Sequence, residues 1–230
     1  MSDRFPVVFA LYPRITQLDF TGPYEVLHRI PGAECILAST EGSDVVADGG
    51  LTFTNVRPLS DVDEISLLCV PGGYGTLAAI EDHELLFEIR RLASRARYVT
   101  SVCTGSLLLG AAGLLRGKRA ACHWAWRELL AHFGAIPDES RVVRDGNVFT
   151  GGGVTAGIDM ALTVLNEILG QEHAQAVQLA IEYAPAPPFD CGRPELASPA
   201  VLAHVRRRLD PMAGEREAAV MRAAAAIMPV

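Results

Sequence analysis

Tyr98 to Ser106 reads YVTSVCTGS, a β-rich run that delivers a thiol, Cys103, just before a helix-forming stretch containing Leu107, Leu108 and Leu109. A sharp turn from strand to helix lifts such a side chain above the sheet, the arrangement of a nucleophile elbow. Gly105 provides the small local volume that this kind of turn requires. The free N–H groups and dipole of the following helix favour an ionised sulfur, the reactive form of a thiol. A buried structural cysteine would sit at a strand end equally well, so spacing alone leaves both roles open.

Gln17-Leu18-Asp19-Phe20-Thr21-Gly22-Pro23 follows the first apolar run. Asp19 can act as general acid or base if it projects into the same cleft. Its plain structural role is helix capping, for which Thr21 is the better candidate. Val70-Pro71-Gly72-Gly73-Tyr74-Gly75 ends another apolar strand. The N–H groups of Gly72 and Gly73 can line an oxyanion pocket, or merely form a strand-to-helix turn. Cys122-His123-Trp124 offers an imidazole partner for the thiol, or a structural histidine. Gly151-Gly152-Gly153-Val154-Thr155 precedes a helix, where an anion can bind, and otherwise permits tight turning beside the cysteine loop.

Other chemistries are disfavoured. The dinucleotide fingerprint GxGxxG is absent. His28, His83, His132, His173 and His204 form no ligand spacing such as HExxH, so no metal site is expected. Gly113 to Arg119 superficially resembles a phosphate loop, but it lacks the first glycine and the Ser/Thr after Lys118, and it closes a helix.

These residues need elements to position them. Strand-length apolar runs at residues 7–11, 34–39, 65–70 and 98–101 alternate with helical patterns at 21–30, 82–96, 104–115, 124–133, 155–169 and 172–183. Pro23 falls in the first turn of its helix, and Gly117 marks the stop of the helix after Cys103. Residues 45–54 read as a small hairpin, 119–122 as a further strand, and Asp145-Gly146-Asn147 as the turn of a second hairpin. Uninterrupted apolar strands alternating with helices argue for an α/β fold with a mostly parallel sheet covered on both faces. In such a sheet ligands bind at the carboxyl ends of the strands, which directs attention to the four strand exits QLDFTGP, PGGYG, SVCTGS and TGGGVTAG. Ala184-Pro185-Ala186-Pro187-Pro188 ends the compact pattern. Residues 1–188 are therefore expected to form the catalytic domain, with 189–230 a helical extension packed on it or on a dimer.

The formal charge of −7 gives no electrostatic reason to expect nucleic acid or an anionic membrane as partner. Arg206-Arg207-Arg208 reads as the solvated end of a helix. Five cysteines with no CxxC spacing argue against a disulfide framework. The N-terminus lacks the pattern of a secretory signal, and no apolar run is long enough to span a membrane. A reduced cytoplasmic setting is expected.

Three segments together resemble the DJ-1/PfpI superfamily: SVCTGSLLLGAAGLLRGKRAACHW its cysteine elbow, VPGGYGT its glycine loop, and TGGGVTAGIDMAL its later loop and helix. The resemblance covers roughly residues 5–185. It implies a flavodoxin-like sandwich and a homodimer. The segments QLDFTGPYEVL, GAIP, RVVRDGNVFTGGGVTAGID and EYAPAPPF are most similar to the isocyanide hydratase branch. That resemblance implies Cys103 as nucleophile, Asp19 as acid–base residue and Thr104 as an assisting polar group, with Gly72, Gly73, Gly152 and Val154 around the substrate. It also implies hydration of an isocyanide to an N-substituted formamide through a cysteine thioimidate, without metal or organic cofactor. Many DJ-1-like proteins carry a glutamate near the position of Asp19, and the shorter carboxylate here sits better with the hydratase branch.

The same scaffold serves glyoxalase-like and carbonyl-stress enzymes, and sensing domains of AraC-type regulators. A chain this short and acidic is a poor DNA binder, whereas redox sensing through an exposed, low-pKa Cys103 stays open.

Overall fold

The computed structural model of the chain describes residues 4–227. Strand β1 (Phe5–Ala10) leads into helix α1 (Gln17–Leu27) and strand β2 (Ala33–Ser39). A short hairpin of β3 (Val45–Val46) and β4 (Thr52–Phe53) precedes the edge strand β5 (Arg57–Pro58) and the buried strand β6 (Leu67–Val70). Beyond α2 (Thr76–Ala79) and α3 (His83–Ala93), β7 (Tyr98–Val102) runs into α4 (Gly105–Ala111). Strands β8 (Arg119–Ala120) and β9 (Ile136–Pro137) pair across a 3-10 segment, Arg127–Phe133. The hairpin β10 (Val142–Asp145) and β11 (Val148–Gly151) is followed by α5 (Ala156–Leu169), α6 (Gln171–Ala180), α7 (Pro199–Leu209) and α8 (Ala213–Ala226).

The central sheet has seven strands in the order β10-β11-β7-β6-β1-β2-β5. All pairs are parallel except β10–β11. Its middle strands, β6 and β7, are buried along their whole length, as expected where helices cover both faces. From β1 the chain winds outward to β2 and β5, then returns to the other side of β1 as β6. The switch in winding direction opens a crevice at the carboxyl ends of β1 and β6. Asp19 lies just beyond the first of these strands and Gly72 just beyond the second.

Several boundaries differ from the sequence expectation, each for a local reason. Helix α1 begins at Gln17, so Pro23 lies inside it and Thr21 is not a cap; the Thr21 hydroxyl instead donates back to the Gln17 carbonyl, at 3.0 Å. Pro23 leaves one helical carbonyl without its usual donor. The missing side chain of Gly157 lets α5 approach α1 closely at this point: a Cβ there would lie 3.1 Å from the Pro23 ring. Helix α4 stops at Ala111 because Gly113, with φ +77°, makes the left-handed turn expected of Gly117. The Leu114 N–H then reaches the Leu109 carbonyl at 2.9 Å, closing the helix end. The expected helix at 124–133 is wound as a 3-10 segment, in which Leu130 and Phe133 stack at the three-residue repeat and bury together. Helix α2 and the two-residue strand β5 carry too few residues to leave a periodic signal.

The tail forms two helices. Helix α8 buries Arg216, Ala219, Val220 and Ala223, while α7 buries nothing completely. The three consecutive arginines lie exposed in the last turn of α7.

Candidate active site

Cys103 is the hinge between β7 and α4, with φ +57°, a left-handed conformation that non-glycine residues adopt at a cost of about 1–3 kcal/mol. Its N–H is held by the carbonyls of Gly151 and Gly152, at 3.0 and 2.8 Å, and its carbonyl accepts from the Ser106 hydroxyl at 3.1 Å. These bonds pin the strained turn from both sides and aim the sulfur over the end of the sheet. Gly105 is required because a Cβ there would stand 2.1 Å from the Val70 carbonyl oxygen.

Asp19, in the first turn of α1, is fully buried. It does not cap its helix. Its Oδ2 accepts the N–H of Gly72 at 3.1 Å, and Oδ1 has no hydrogen-bond partner in good geometry among the described residues. Burial raises its pKa from 3.8 to about 7, against the opposing pull of the Cys103 thiol and the Gly72 N–H. The thiol and the carboxyl are thus coupled neighbours. Burial is the largest influence on Cys103 and pushes its pKa well up; the Asp19 carboxylate adds to this, and only the Thr104 N–H lowers it. A freely ionised sulfur, expected from the helix terminus alone, is therefore not what the site holds. Below about 7 both groups hold their protons; above it the carboxyl ionises first and one proton remains in the pair, on the sulfur.

Gly72 and Gly73 do not form an open oxyanion pocket. The Gly72 N–H is used by Asp19, and the Gly73 N–H donates to the Thr104 hydroxyl at 2.9 Å. A Cβ on Gly72 would meet the Thr104 nitrogen and hydroxyl at 2.5 Å, so glycine permits the two loops to touch. Thr104 is a positioning residue: its hydroxyl lies 2.7 Å from that of Thr76, which lies 3.2 Å from the Tyr12 hydroxyl, and Tyr12 donates to the Pro71 carbonyl at 2.8 Å. This buried relay locks the glycine loop and makes no hydrogen bond to Asp19. Tyr12 and Thr76 were not singled out from the sequence; an aromatic at a strand exit and a threonine in a four-residue helix carry no motif.

Above the sulfur is a cavity of about 220 Å³, lined by Cys103 and Thr104 and otherwise largely by Tyr74, Trp126, Val154 and Leu209. His123 stands on its wall but makes no hydrogen bond to the thiol. Its Nδ1 accepts the Ala125 N–H at 3.3 Å, which leaves Nε2 as the protonated nitrogen of the neutral ring. Burial, helped by the Arg216 charge, lowers its pKa to about 4. A larger cleft, about 470 Å³, lies on the far side of His123 and Val154; Gly152 opens onto that cleft and reaches Cys103 only through its carbonyl. Among the described residues no group of His, Cys, Asp or Glu is arranged to hold a metal ion.

Residues 6–167 of the chain match the DJ-1/PfpI family. The chain belongs to the DJ-1/PfpI family. It is 51% identical over 217 residues to the isonitrile hydratase of Pseudomonas putida, covering 94% of this chain and 95% of that one. A crystal structure of a ThiJ/PfpI family protein from Pseudomonas syringae is 39% identical and superposes with a TM-score of 0.88, over 97% of this chain and 91% of that one. Drosophila melanogaster DJ-1beta shares the fold, with a TM-score of 0.70 at 23% identity, but its whole length covers only 79% of this chain. The transcriptional regulator GbdR of Pseudomonas aeruginosa is 30% identical over 69% of this chain, which spans 43% of that regulator.

An acid whose pKa rises on folding binds its proton more tightly in the native chain, so this group's contribution to stability falls as pH climbs from 3.8 towards about 7. Asp19→Asn, which keeps an acceptor for Gly72 and removes the charge, is expected to raise Tm by roughly 3–6 °C at pH 8. The gain should vanish near pH 4, as differential scanning calorimetry at the two pH values will register.

Proposed function

We propose that the chain hydrates isocyanides, R–N≡C, to N-substituted formamides, as a lyase of the hydratase type using a covalent cysteine intermediate. The observation that carries this reading is Cys103 lining a largely apolar cavity, with the buried Asp19 carboxyl beside its sulfur. It is supported by the likeness, over nearly the whole chain, to a protein named isonitrile hydratase.

An isocyanide is apolar except at its terminal carbon, which needs both a nucleophile and a proton. The pair offers one of each. The sulfur of Cys103 forms the C–S bond while the proton held with Asp19 passes to the same carbon, giving the thioimidate Cys103–S–CH=N–R and leaving Asp19 ionised. Asp19 then takes a proton from water as the oxygen adds to that carbon, and returns it to nitrogen. Collapse of Cys103–S–CH(OH)–NH–R breaks the C–S bond, releases HC(=O)–NH–R, and returns the hydroxyl proton to the pair. The sum is one isocyanide and one water in, one formamide out. Splitting the hydration in this way replaces one difficult step by two easier ones. Thr104 holds the glycine loop that seats Asp19, Val154 bounds the cavity, and no step calls for a metal or organic cofactor.

Five free cysteines suit a cytoplasmic setting, where thiols stay reduced. No helix among the described residues is long and apolar enough to cross a membrane. A homodimer is supported by Leu179, Phe189 and Leu196, large apolar side chains 81%, 75% and 62% exposed around the irregular segment before α7.

Cys103→Ala is expected to lower kcat/KM on an aryl isocyanide by at least about a thousandfold. Asp19→Asn should lower it by about 10²- to 10⁴-fold. In the wild type, kcat/KM should rise as pH passes about 7, because below that value the pair holds two protons and the sulfur cannot attack. Intact-protein mass spectrometry during turnover should find an adduct of one isocyanide, mapping to Cys103; full formamide production by Cys103→Ala would end the covalent mechanism. Multi-angle light scattering is expected to give twice the mass of the chain.

A further inference from the structure

The cavity above Cys103 is not closed by the family fold alone. The family match ends at residue 167, ahead of α7, yet Val205 and Leu209 of α7 line the cavity. DJ-1beta, matched over its whole length, leaves about a fifth of this chain without a counterpart, whereas the isonitrile hydratase of P. putida matches 94% of it. The segment beyond the family match includes α7, and part of that helix stands over the sulfur.

Its placement follows from how the two tail helices share the work. Helix α8 is the anchor. It buries Ala219, Val220 and Ala223, pairs Arg222 with Glu81 at 2.6 Å, and stacks the Arg216 guanidinium 4.7 Å from the centre of the Trp126 ring. Arg216 is itself buried, its Nε has no hydrogen-bond partner among the described residues, and the ring it covers lines the Cys103 cavity. That stack is worth more out of water than in it. Helix α7 has no such anchorage. Only Leu202 and Leu209 are even half-buried, and its path is set by Ser198 capping its start, at 3.4 Å from the Val201 N–H, and by the turn into α8 at its end. What α7 gives the site is an aliphatic surface facing Tyr74, Trp126 and Val154.

We propose that α7 is the specificity wall of this cavity, with Leu209 and Val205 setting the space for the N-substituent of the isocyanide. The proposal rests on the hydratase reading for its ligand. The reacting carbon must sit at the sulfur, so the substituent R extends away from β7 towards the tail, where Val205 and Leu209 offer apolar contact and no hydrogen bond. Discrimination then depends on volume: one methylene too many or too few in an apolar pocket is worth about tenfold or more in kcat/KM.

The test uses the full chain with Leu209→Trp, which narrows the wall, and Leu209→Ala, which opens it; the half-exposed position lets both fold. Two readouts are taken. The first is the ratio of kcat/KM for cyclohexyl isocyanide to that for methyl isocyanide. The second, independent of hydration, is the ratio of Cys103 alkylation rates by N-cyclohexylmaleimide and by iodoacetamide, followed by peptide mass mapping. Leu209→Trp is expected to lower both ratios by about tenfold or more, and Leu209→Ala to raise them. Ratios that stay within about twofold of wild type in both variants would overturn the wall. Should the wild type turn over neither isocyanide, the hydratase reading falls, while the alkylation ratio still decides whether α7 bounds the cavity.

Discussion

A carboxyl group removed from water needs donors for both of its oxygens, or it keeps its proton. Asp19 has one backbone N–H, from Gly72, on one oxygen and the Cys103 thiol as the titrating neighbour of the carboxyl. Much of the surrounding architecture follows from holding those two side chains together out of solvent. The crossing of the glycine loop over the cysteine turn is so close that Gly72 and Gly105 have no room for a Cβ. The relay from Thr104 through Thr76 and Tyr12 to Pro71 fixes that crossing with buried hydrogen bonds. Phe20, next to Asp19, packs edge-on against Phe9 of β1 and Phe53 of β4, at 5.0 and 4.9 Å between ring centres, and sets the face that α1 turns inward. Strain at Cys103 and an uncomfortable carboxyl are the two unfavourable features, and both lie at the proposed reacting position, where stored strain is commonly found.

On the proposed mechanism, this arrangement is how a buried thiol serves as a nucleophile. A cysteine activated by exposure and positive charge would be reactive towards any electrophile or oxidant. Here burial opposes a free thiolate, and an ionised Asp19 beside the sulfur opposes it further. Such a pair suits a substrate that accepts a nucleophile and a proton at one carbon. It also argues against redox sensing through an exposed low-pKa thiol, since Cys103 is only 5% exposed.

The parallel sheet was legible because β1 and β6 are apolar runs and β7 is rich in β-forming residues, and the elbow because a thiol between such a strand and three leucines has few other readings. The four strand exits converge as the parallel order requires. Roles that depend on where a proton or an N–H points were not legible. Asp19 and Thr21 both looked like caps because cap chemistry is local, whereas the partner of Asp19 is Gly72, 53 residues away. The Gly72 and Gly73 N–H groups looked free for an anion because the sequence does not reveal that Asp19 and Thr104 already use them. The contribution of α7 to the cavity was equally hidden, since Leu209 and Cys103 are joined only through the tertiary docking of α8.

The central claim is that Asp19 holds its proton into the neutral range because it is buried against Cys103. Infrared difference spectra between wild type and Asp19→Asn, recorded across pH, isolate the carbonyl stretch of the protonated Asp19 carboxyl. The account predicts a band that disappears with a midpoint at about 7. A carboxyl already ionised near its ordinary 3.8, with no such band at neutral pH, would contradict it.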